Sequence, residues 1–171
     1  FGKFSFFSFY ASKMITTGHG GLFFSRDPKL AAAVKVLRSW RDNEGIEQAF
    51  NSCTTDFQAA MGLNQLKRLD HFIDIRRKIA EIYNKRFLQT HHEVPLTFEG
   101  RESVWFRYPL RVKGSLKEAI AFLGKQNIEA KSPVATPLHR LLELPPEEFP
   151  NADKTWRNTL SIPIYPALAS K

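Results

Sequence analysis

The stretch 4–21, "FSFFSFYASKMITTGHGG", joins an apolar segment to a turn that contains three glycines, with a single lysine, Lys13, between them. Residues 4–10 are aromatic and apolar on both faces, interrupted only by small serines, which is typical of a strand covered on both sides. Residues 21–25, "GLFFS", predict a second strand after the turn. Lys13 is therefore expected to extend from a short loop between two buried strands.

This placement bears on the chemistry of the lysine amine. An amine between two buried strands is desolvated and loses its proton more easily than a surface amine. A neutral amine is the form that attacks a carbonyl carbon to make a Schiff base, as pyridoxal phosphate (PLP) enzymes require. Ser8 offers a hydroxyl for a phosphate group, and the glycines let the backbone come close to the same ligand. The same pattern also fits a solvent-exposed lysine beside a glycine hairpin.

Length and composition are those of a folded globular protein, with 171 residues, 43% of them hydrophobic and 25% charged. No apolar run approaches the roughly 20 residues that span a bilayer, and the aromatic start lacks the basic region of a signal peptide. We therefore expect a soluble, cytoplasmic protein with no membrane partner. The single cysteine, Cys53, excludes an intramolecular disulfide framework and a zinc site built on cysteine pairs.

The net charge of +8 indicates affinity for anions, whether nucleic acid, sugar-nucleotide phosphates or a phosphorylated cofactor. The densest basic region is a predicted helix around residues 67–86, where acidic residues lie within helical reach of the basic ones. A solvated face of mixed charge is favoured over a DNA-reading surface, so no nucleic-acid partner is expected.

Helix start signals organise the middle of the chain. Asp27 is an N-cap residue followed by proline, which predicts a helix that ends near Trp40. Thr55 and Gln58 form a capping-box pattern. Apolar residues then recur at helical spacing to about residue 88, a length that predicts two helices with a break near Asp70.

The last part of the chain reads as a linker followed by a small domain. Residues 104–112 predict a strand, which Pro109 places at an edge or a bulge. Ser115 and Glu118 open a further helix, and residues 127–131 predict a short strand. We expect an α/β fold in which residues 1–50 are the end of a large sheet domain, 51–90 are connecting helices and 91–171 are a small α+β domain.

Four other polar residues are candidates for function. Asn51 precedes a predicted helix start, where its amide either caps the helix or binds an anion. His91 and His92 are expected to diverge in an extended linker, so no metal site is predicted there. His139, in "TPLHRLL", either faces a cleft or has a structural role, which is the commoner case for a single histidine.

Several of these stretches together resemble the DegT/StrS family of PLP-dependent sugar-nucleotide aminotransferases. "FSFYASKMITTGHGGLFFSRD" is similar to that family's lysine signature, in which a lysine follows a serine by five residues and precedes Thr-Gly-Glu-Gly-Gly. "FNSCTTDFQAAMGLNQLKRLDHF" resembles its stretch around Gly-x-Asn-Tyr-Arg-Met-Thr, and "WFRYPLRV", "TPLHRL", "FPNAD" and "LSIPIYPAL" resemble its small domain in the same order. The resemblance covers nearly the whole chain.

The resemblance implies a role for each candidate residue. Lys13 would bind pyridoxal 5'-phosphate as a Schiff base and later move the substrate proton, and Ser8 would hydrogen-bond the phosphate. Asn51 would reach the phosphate of the neighbouring subunit's cofactor, so a homodimer would share its active sites. His139 would line the sugar-nucleotide pocket. The reaction implied moves an amino group from an amino acid, usually glutamate, to a keto sugar carried on a nucleotide, in polysaccharide or secondary-metabolite biosynthesis.

The sequence also departs from the family pattern. His19 stands where the family usually has glutamate, Ala49 where glycine is usual, and Ser52 and Cys53 where tyrosine and arginine are usual. The replacement of that arginine by Cys53 is expected to alter contacts with the substrate or between the subunits of a dimer.

The family's N-terminal half carries the aspartate for the pyridine nitrogen and the residue that stacks on the ring, and both positions precede Phe1. We therefore expect a fragment that is inactive by itself, with its first two strands exposed, disordered or paired with another chain. The family's final C-terminal helices are expected to be missing after Lys171. The alternative is a non-catalytic, truncated homologue that acts as an interaction or regulatory module.

Overall fold

The computed structural model describes residues 2–39, 50–96 and 98–170, and these form two compact units, Phe1–Asp70 and His71–Lys171. The elements of the first unit are strands β1 (Phe4–Ser8) and β2 (Gly21–Ser25) and helices α1 (Pro28–Arg38) and α2 (Asp56–Leu66). Helix α3 (Leu69–Phe87) begins just before the boundary and lies mainly in the second unit. The predicted domain boundaries at residues 50 and 90 rest on the family resemblance and not on these two units, and they stay a prediction.

Strands β1 and β2 form a two-stranded antiparallel sheet in which Phe4 pairs with Ser25 and Ser8 with Gly21. Most of their aromatic side chains are exposed, Phe6 to 76%, whereas Phe23 is half-buried. The expectation of a strand covered on both sides is therefore wrong for this chain, because within the described residues the two strands pair only with each other. Of the three expected states, exposed, disordered or paired with another chain, the described residues of this single chain show the first.

Helix α1 begins where its sequence predicts, since the Asp27 carboxylate accepts a hydrogen bond from the Lys29 amide at 2.8 Å and proline follows the cap. It ends at Arg38, and Trp40, the predicted end, lies outside the described residues. The chain then returns along the end of α1, because the Phe50 and Ser52 amides donate to the carbonyls of Leu37 and Arg38. These bonds satisfy two carbonyls that a helix C-terminus leaves unpaired.

Helices α2 and α3 confirm the predicted pair with a break near Asp70, since Lys67 and Arg68 separate them. The Thr55–Gln58 capping box at the start of α2 is complete in both directions. Among the described helices, none combines the length and the apolar character needed to cross a membrane.

The second unit continues with β3 (Tyr108–Arg111), α4 (Leu116–Lys125), α5 (Leu138–Leu141), α6 (Pro150–Asn158) and β4 (Thr159–Ile162), with short 3-10 turns at Pro146–Glu148 and Pro166–Ser170. Strands β3 and β4 pair antiparallel, with Tyr108 opposite Ile162 and Leu110 opposite Leu160. These four side chains alternate onto one face. They form the core of the unit with residues of α3 and the loops: Ile79, Ala80, Trp105, Ala130 and Ile164.

In this unit the predicted cap of α4 is confirmed, whereas the two predicted strands are shorter than expected. Ser115 caps α4 by accepting from the Glu118 amide, as predicted. Strand β3 is shorter than the predicted 104–112, because Trp105 adopts a left-handed φ of 49°, which a strand does not allow. The predicted strand at 127–131 is reduced to a single bridge between Lys131 and Ser161.

Candidate active site

Lys13 lies on the loop that joins β1 to β2, and the base of this loop is closed by backbone hydrogen bonds. The Phe9 amide donates to the Gly20 carbonyl at 2.9 Å, which extends the strand pairing by one step. The Phe9 carbonyl accepts from both the Thr17 amide and the Thr16 hydroxyl, each at 3.0 Å. The Lys13 amide donates to Tyr10 within the turn. Lys13 is thus carried on a small sub-loop, residues 10–15, whose two ends are joined at Phe9.

The glycine side of the loop is compact. Thr17 is only 7% exposed, and its hydroxyl donates to the His19 carbonyl at 2.5 Å. Gly20 has a φ of +138°, and a Cβ atom there would lie 2.8 Å from the Thr17 hydroxyl oxygen. A side chain at Gly20 is therefore excluded both by the backbone conformation and by the threonine. The His19 ring lies edge-on to Tyr10, with 5.2 Å between ring centroids.

Helix α2 contacts this loop through one face. The Gln65 side-chain oxygen accepts from the Thr16 amide at 3.0 Å, and the Gln58 side-chain nitrogen donates to the His19 carbonyl at 3.1 Å. Gly62 lies between them in sequence, and a Cβ there would be 3.0 Å from the Thr17 methyl group. The sequence predictions missed these contacts, although the spacing of 58, 62 and 65 places the three residues on one helix face.

Ser8 is the last residue of β1, and its hydroxyl accepts from the Tyr10 amide at 3.3 Å. Both Ser8 and Lys13 are exposed in this chain. The expectation that the Lys13 amine is desolvated between buried strands is therefore wrong for the described residues. Lys13 is exposed because, within these residues, β1 and β2 pair only with each other. Ser8 and Lys13 nevertheless belong to the same hairpin, with Ser8 at the end of β1 and Lys13 on the loop that follows it.

Asn51 lies on the connection between α1 and α2 and is exposed. It doesn't cap α2, because Thr55, four residues later, holds that position. The neighbouring Ser52 amide is held by the Arg38 carbonyl at 2.9 Å, which ties this connection to the end of α1. The contact of Asn51 with a neighbouring subunit's cofactor stays a prediction.

His139 lies in the second unit, and its ring is buried, with 5% exposed. The Nε2 atom lies 2.9 Å from the Asp153 carboxylate, and the ring stacks on Phe149 with 4.9 Å between centroids. Arg140 binds the same carboxylate through two nitrogens, and Arg157 adds a third cationic contact. Within the described residues His139 is buried against Asp153 and Phe149, which fits the structural alternative. The contact of His139 with a sugar nucleotide stays a prediction.

His91 and His92 don't diverge as expected, since their ring centroids are 4.6 Å apart. The reason is that His92 turns inward and packs edge-on against Phe87 of α3 at 5.9 Å. In the part of the chain that the structure describes, no group of three or more histidine, cysteine, aspartate or glutamate side chains is arranged to hold a metal ion.

A substitution at Gly21 is expected to disrupt this hairpin. An alanine Cβ there would lie 2.8 Å from the Phe7 carbonyl oxygen, a backbone atom that can move only with the strand pairing. We expect Gly21→Ala to cost about 1–3 kcal/mol of stability in unit 1, measured by hydrogen exchange of the β1 and β2 amides. Gly2→Ala is the matched control, since its Cβ would meet the Phe4 carbonyl at an ordinary 3.4 Å. Equal exchange in the two variants would contradict the prediction.

Comparison with known proteins agrees with this architecture. The model of the DegT/DnrJ/EryC1/StrS aminotransferase family matches residues 1–171. The chain belongs to this family. It is 31% identical to a UDP-4-amino-4,6-dideoxy-N-acetyl-beta-L-altrosamine transaminase from Campylobacter jejuni, over 94% of this chain and 47% of that protein. The chain spans about half the length of the curated relatives that it matches.

Two solved aminotransferase structures share the fold. The aminotransferase TlmJ from Streptoalloteichus hindustanus matches with a TM-score of 0.87 and 29% identity, over 97% of this chain and 48% of that one. Spr1654 from Streptococcus pneumoniae, in its PLP form, matches with a TM-score of 0.82 and 25% identity, over 95% and 47%. The expected α/β fold class, that of part of a PLP aminotransferase, is confirmed.

Proposed function

We propose that this chain carries the lysine loop of a PLP-dependent aminotransferase that transfers an amino group from an amino acid, with glutamate as the expected donor, to a nucleotide-linked keto sugar. The observation that carries the proposal is the placement of Ser8 at the end of β1 and of Lys13 on the closed loop that follows, in a chain that the family model matches throughout. Relatives named as transaminases of nucleotide-linked sugars support the substrate class.

The residues on the loop fit a phosphorylated aldehyde cofactor. Lys13 offers a primary amine, Ser8 offers a hydroxyl donor, and both are exposed and so accessible. A Cβ at Gly20 or Gly21 would meet an atom of the hairpin at 2.8 Å, so the hairpin is built for glycine at both positions. When bound, PLP supplies an electrophilic aldehyde carbon and a ring that withdraws electrons from the substrate.

Each residue then has a defined task. The Lys13 amine would hold the cofactor, and as a free base it would take a proton from the substrate carbon and return it. The Ser8 hydroxyl would donate to an oxygen of the cofactor phosphate. Asn51 donates to a phosphate held by a second subunit, so the working unit is a homodimer. A cytoplasmic location fits the nucleotide-linked substrates.

A second candidate function is a non-catalytic interaction module. The exposure of both Lys13 and the aromatic faces of β1 and β2, with Phe6 76% exposed, is the observation that favours it. An exposed two-stranded sheet with unpaired edges is suited to pairing with another chain. This candidate requires no covalent chemistry at Lys13.

The two candidates differ in how Lys13 reacts with PLP. The full natural polypeptide is incubated with PLP below stoichiometric amounts and reduced with borohydride, and the modified lysines are mapped by mass spectrometry. We expect selective modification of Lys13, which Lys13→Ala abolishes and Lys29→Ala, at an exposed lysine of α1, leaves unchanged. Equal modification of the Lys13 and Lys29 peptides would overturn the aminotransferase proposal and favour the interaction module.

A further inference from the structure

We infer that Gln58 and Gln65 of α2 are positioning residues that hold the two ends of the lysine loop, an inference that rests on the proposed role of Lys13. Neither side chain contacts the lysine itself. They act on Thr16 and His19, the residues on which the loop closes.

The first contact fixes the end of the loop nearest the lysine. The Gln65 side-chain oxygen accepts from the Thr16 amide at 3.0 Å, across 49 residues of sequence. The Thr16 hydroxyl in turn donates to the Phe9 carbonyl at 3.0 Å and accepts from the Gly18 amide at 2.9 Å. Thr16 thus links the helix to both sides of the loop, at Phe9 and Gly18, so its position sets where the sub-loop 10–15 closes.

The second contact fixes the glycine end. The Gln58 side-chain nitrogen donates to the His19 carbonyl at 3.1 Å, the same carbonyl that receives the Thr17 hydroxyl. The side-chain oxygen of Gln58 is already used, since it accepts from the Thr55 amide at 3.0 Å as part of the α2 capping box. A single amide therefore joins the start of α2 to the loop.

The helix face between the two glutamines lets the loop come close. Residues 58, 62 and 65 follow a four-three spacing, which aligns them along one side of the helix. A Cβ at Gly62 would lie 3.0 Å from the Thr17 methyl group, so a larger residue there would push the loop away. An ordered loop offers its amine from fewer positions, which lowers the entropy lost when the cofactor attaches.

The two contacts need opposite hydrogen-bonding groups, and this gives a sharp test. Glutamate at position 65 keeps the oxygen that accepts from Thr16, whereas leucine removes it. Glutamate at position 58 keeps the oxygen of the capping box but replaces the donor to His19 with a second acceptor. Asn64→Asp adds the same charge at an exposed neighbouring position of α2 and serves as the control.

The four variants are compared by hydrogen exchange of residues 13–20 in the full natural polypeptide without cofactor, and by borohydride trapping of PLP at Lys13. We expect Gln58→Glu and Gln65→Leu to speed loop exchange and lower Lys13 trapping by about five- to tenfold each, the effect of losing one hydrogen bond. Gln65→Glu is expected to restore both readouts toward those of the unsubstituted protein, and Asn64→Asp to change neither.

The outcomes separate two kinds of failure. If Lys13 isn't modified selectively even in the unsubstituted protein, the proposed function fails, and the inference fails with it. If Lys13 is modified selectively but Gln58→Glu and Gln65→Leu trap PLP as well as Asn64→Asp does, the inference alone is overturned. Far-UV circular dichroism of Gln58→Glu checks that α2 remains helical, as its retained cap predicts.

Discussion

Arg76→Met is expected to destabilise the second unit by about 3 kcal/mol, since it leaves buried carbonyl groups without a donor. Arg76 is 8% exposed, and one of its guanidinium nitrogens donates to the Trp105 carbonyl at 3.1 Å and to the Ile164 carbonyl at 2.5 Å. These contacts tie α3 to the segments before β3 and after β4. Burial lowers the pKa of Arg76, a sign of what it costs to desolvate the charge.

The strain at Trp105 adds to this effect. A non-glycine residue with a φ of 49° is held in place only by its surroundings. The Arg76 bond to its carbonyl, the bond from its amide to the Ser103 hydroxyl at 3.1 Å and the stacking of its ring on Tyr108, 5.4 Å between centroids, hold it. Loss of the guanidinium therefore releases the backbone at Trp105 as well as the carbonyl groups.

Hydrogen exchange of the β3 and β4 amides, together with urea unfolding, measures the change. The neighbouring residue provides the matched control, because Arg77 is partly exposed and pairs with Glu102 at 2.6 Å on the surface. Arg77→Met is expected to cost less than about 1 kcal/mol, as surface ion pairs contribute little. A loss of stability no greater in Arg76→Met than in Arg77→Met would contradict the role assigned to the buried guanidinium.

The second unit is also expected to lose stability in acid through Asp153. Hydrogen bonds from Arg140, and then from His139 and Arg157, hold the pKa of Asp153 well below its ordinary value of 3.8. Because the folded-state pKa is lowered, the unfolded chain binds the proton first as the pH falls. The stabilisation is therefore complete above about pH 5 and is lost progressively as the pH falls below the ordinary value of the carboxyl group.

Asp153→Asn is expected to lower the melting temperature of this unit at pH 7 and to flatten its dependence on pH between 5 and 3. The amide keeps one acceptor oxygen but puts a donor against the Arg140 guanidinium and removes the charge that balances it. Thermal unfolding at a series of pH values gives the comparison. Asp74→Asn, at an exposed carboxylate 4.0 Å from Arg77, is the control and is expected to follow the unsubstituted protein. If the melting temperature of Asp153→Asn fell as steeply between pH 5 and 3 as that of the control, the Asp153 carboxylate would not be the cause of the loss of stability in acid.

Features set by neighbouring residues were predicted well from the sequence. The caps at Asp27, Thr55 and Ser115 were all found, because a capping side chain and its backbone partner lie within three residues of each other. The break between α2 and α3 was found for a similar reason, since the combined length exceeded that of an ordinary helix.

Features set by distant residues were not predicted. The burial of His139 depends on Asp153, 14 residues away, and the contacts of Gln58 and Gln65 with the loop span 39 and 49 residues. The exposure of Lys13 depends on what covers β1 and β2, which their own apolar composition doesn't specify. Sequence periodicity identifies a face but not its partner, so the residues that frame the loop became visible only in the folded chain.

The double use of the Gln58 amide couples two motions that would otherwise be independent. Fraying of the first turn of α2 breaks the capping box, and the same side chain then loses its fixed direction toward His19. Opening of the helix terminus and opening of the loop should accordingly occur as one cooperative event, with matching exchange rates at the Thr55 and loop amides. A disturbance at a helix end would thus reach the lysine loop without any residue of that loop being altered.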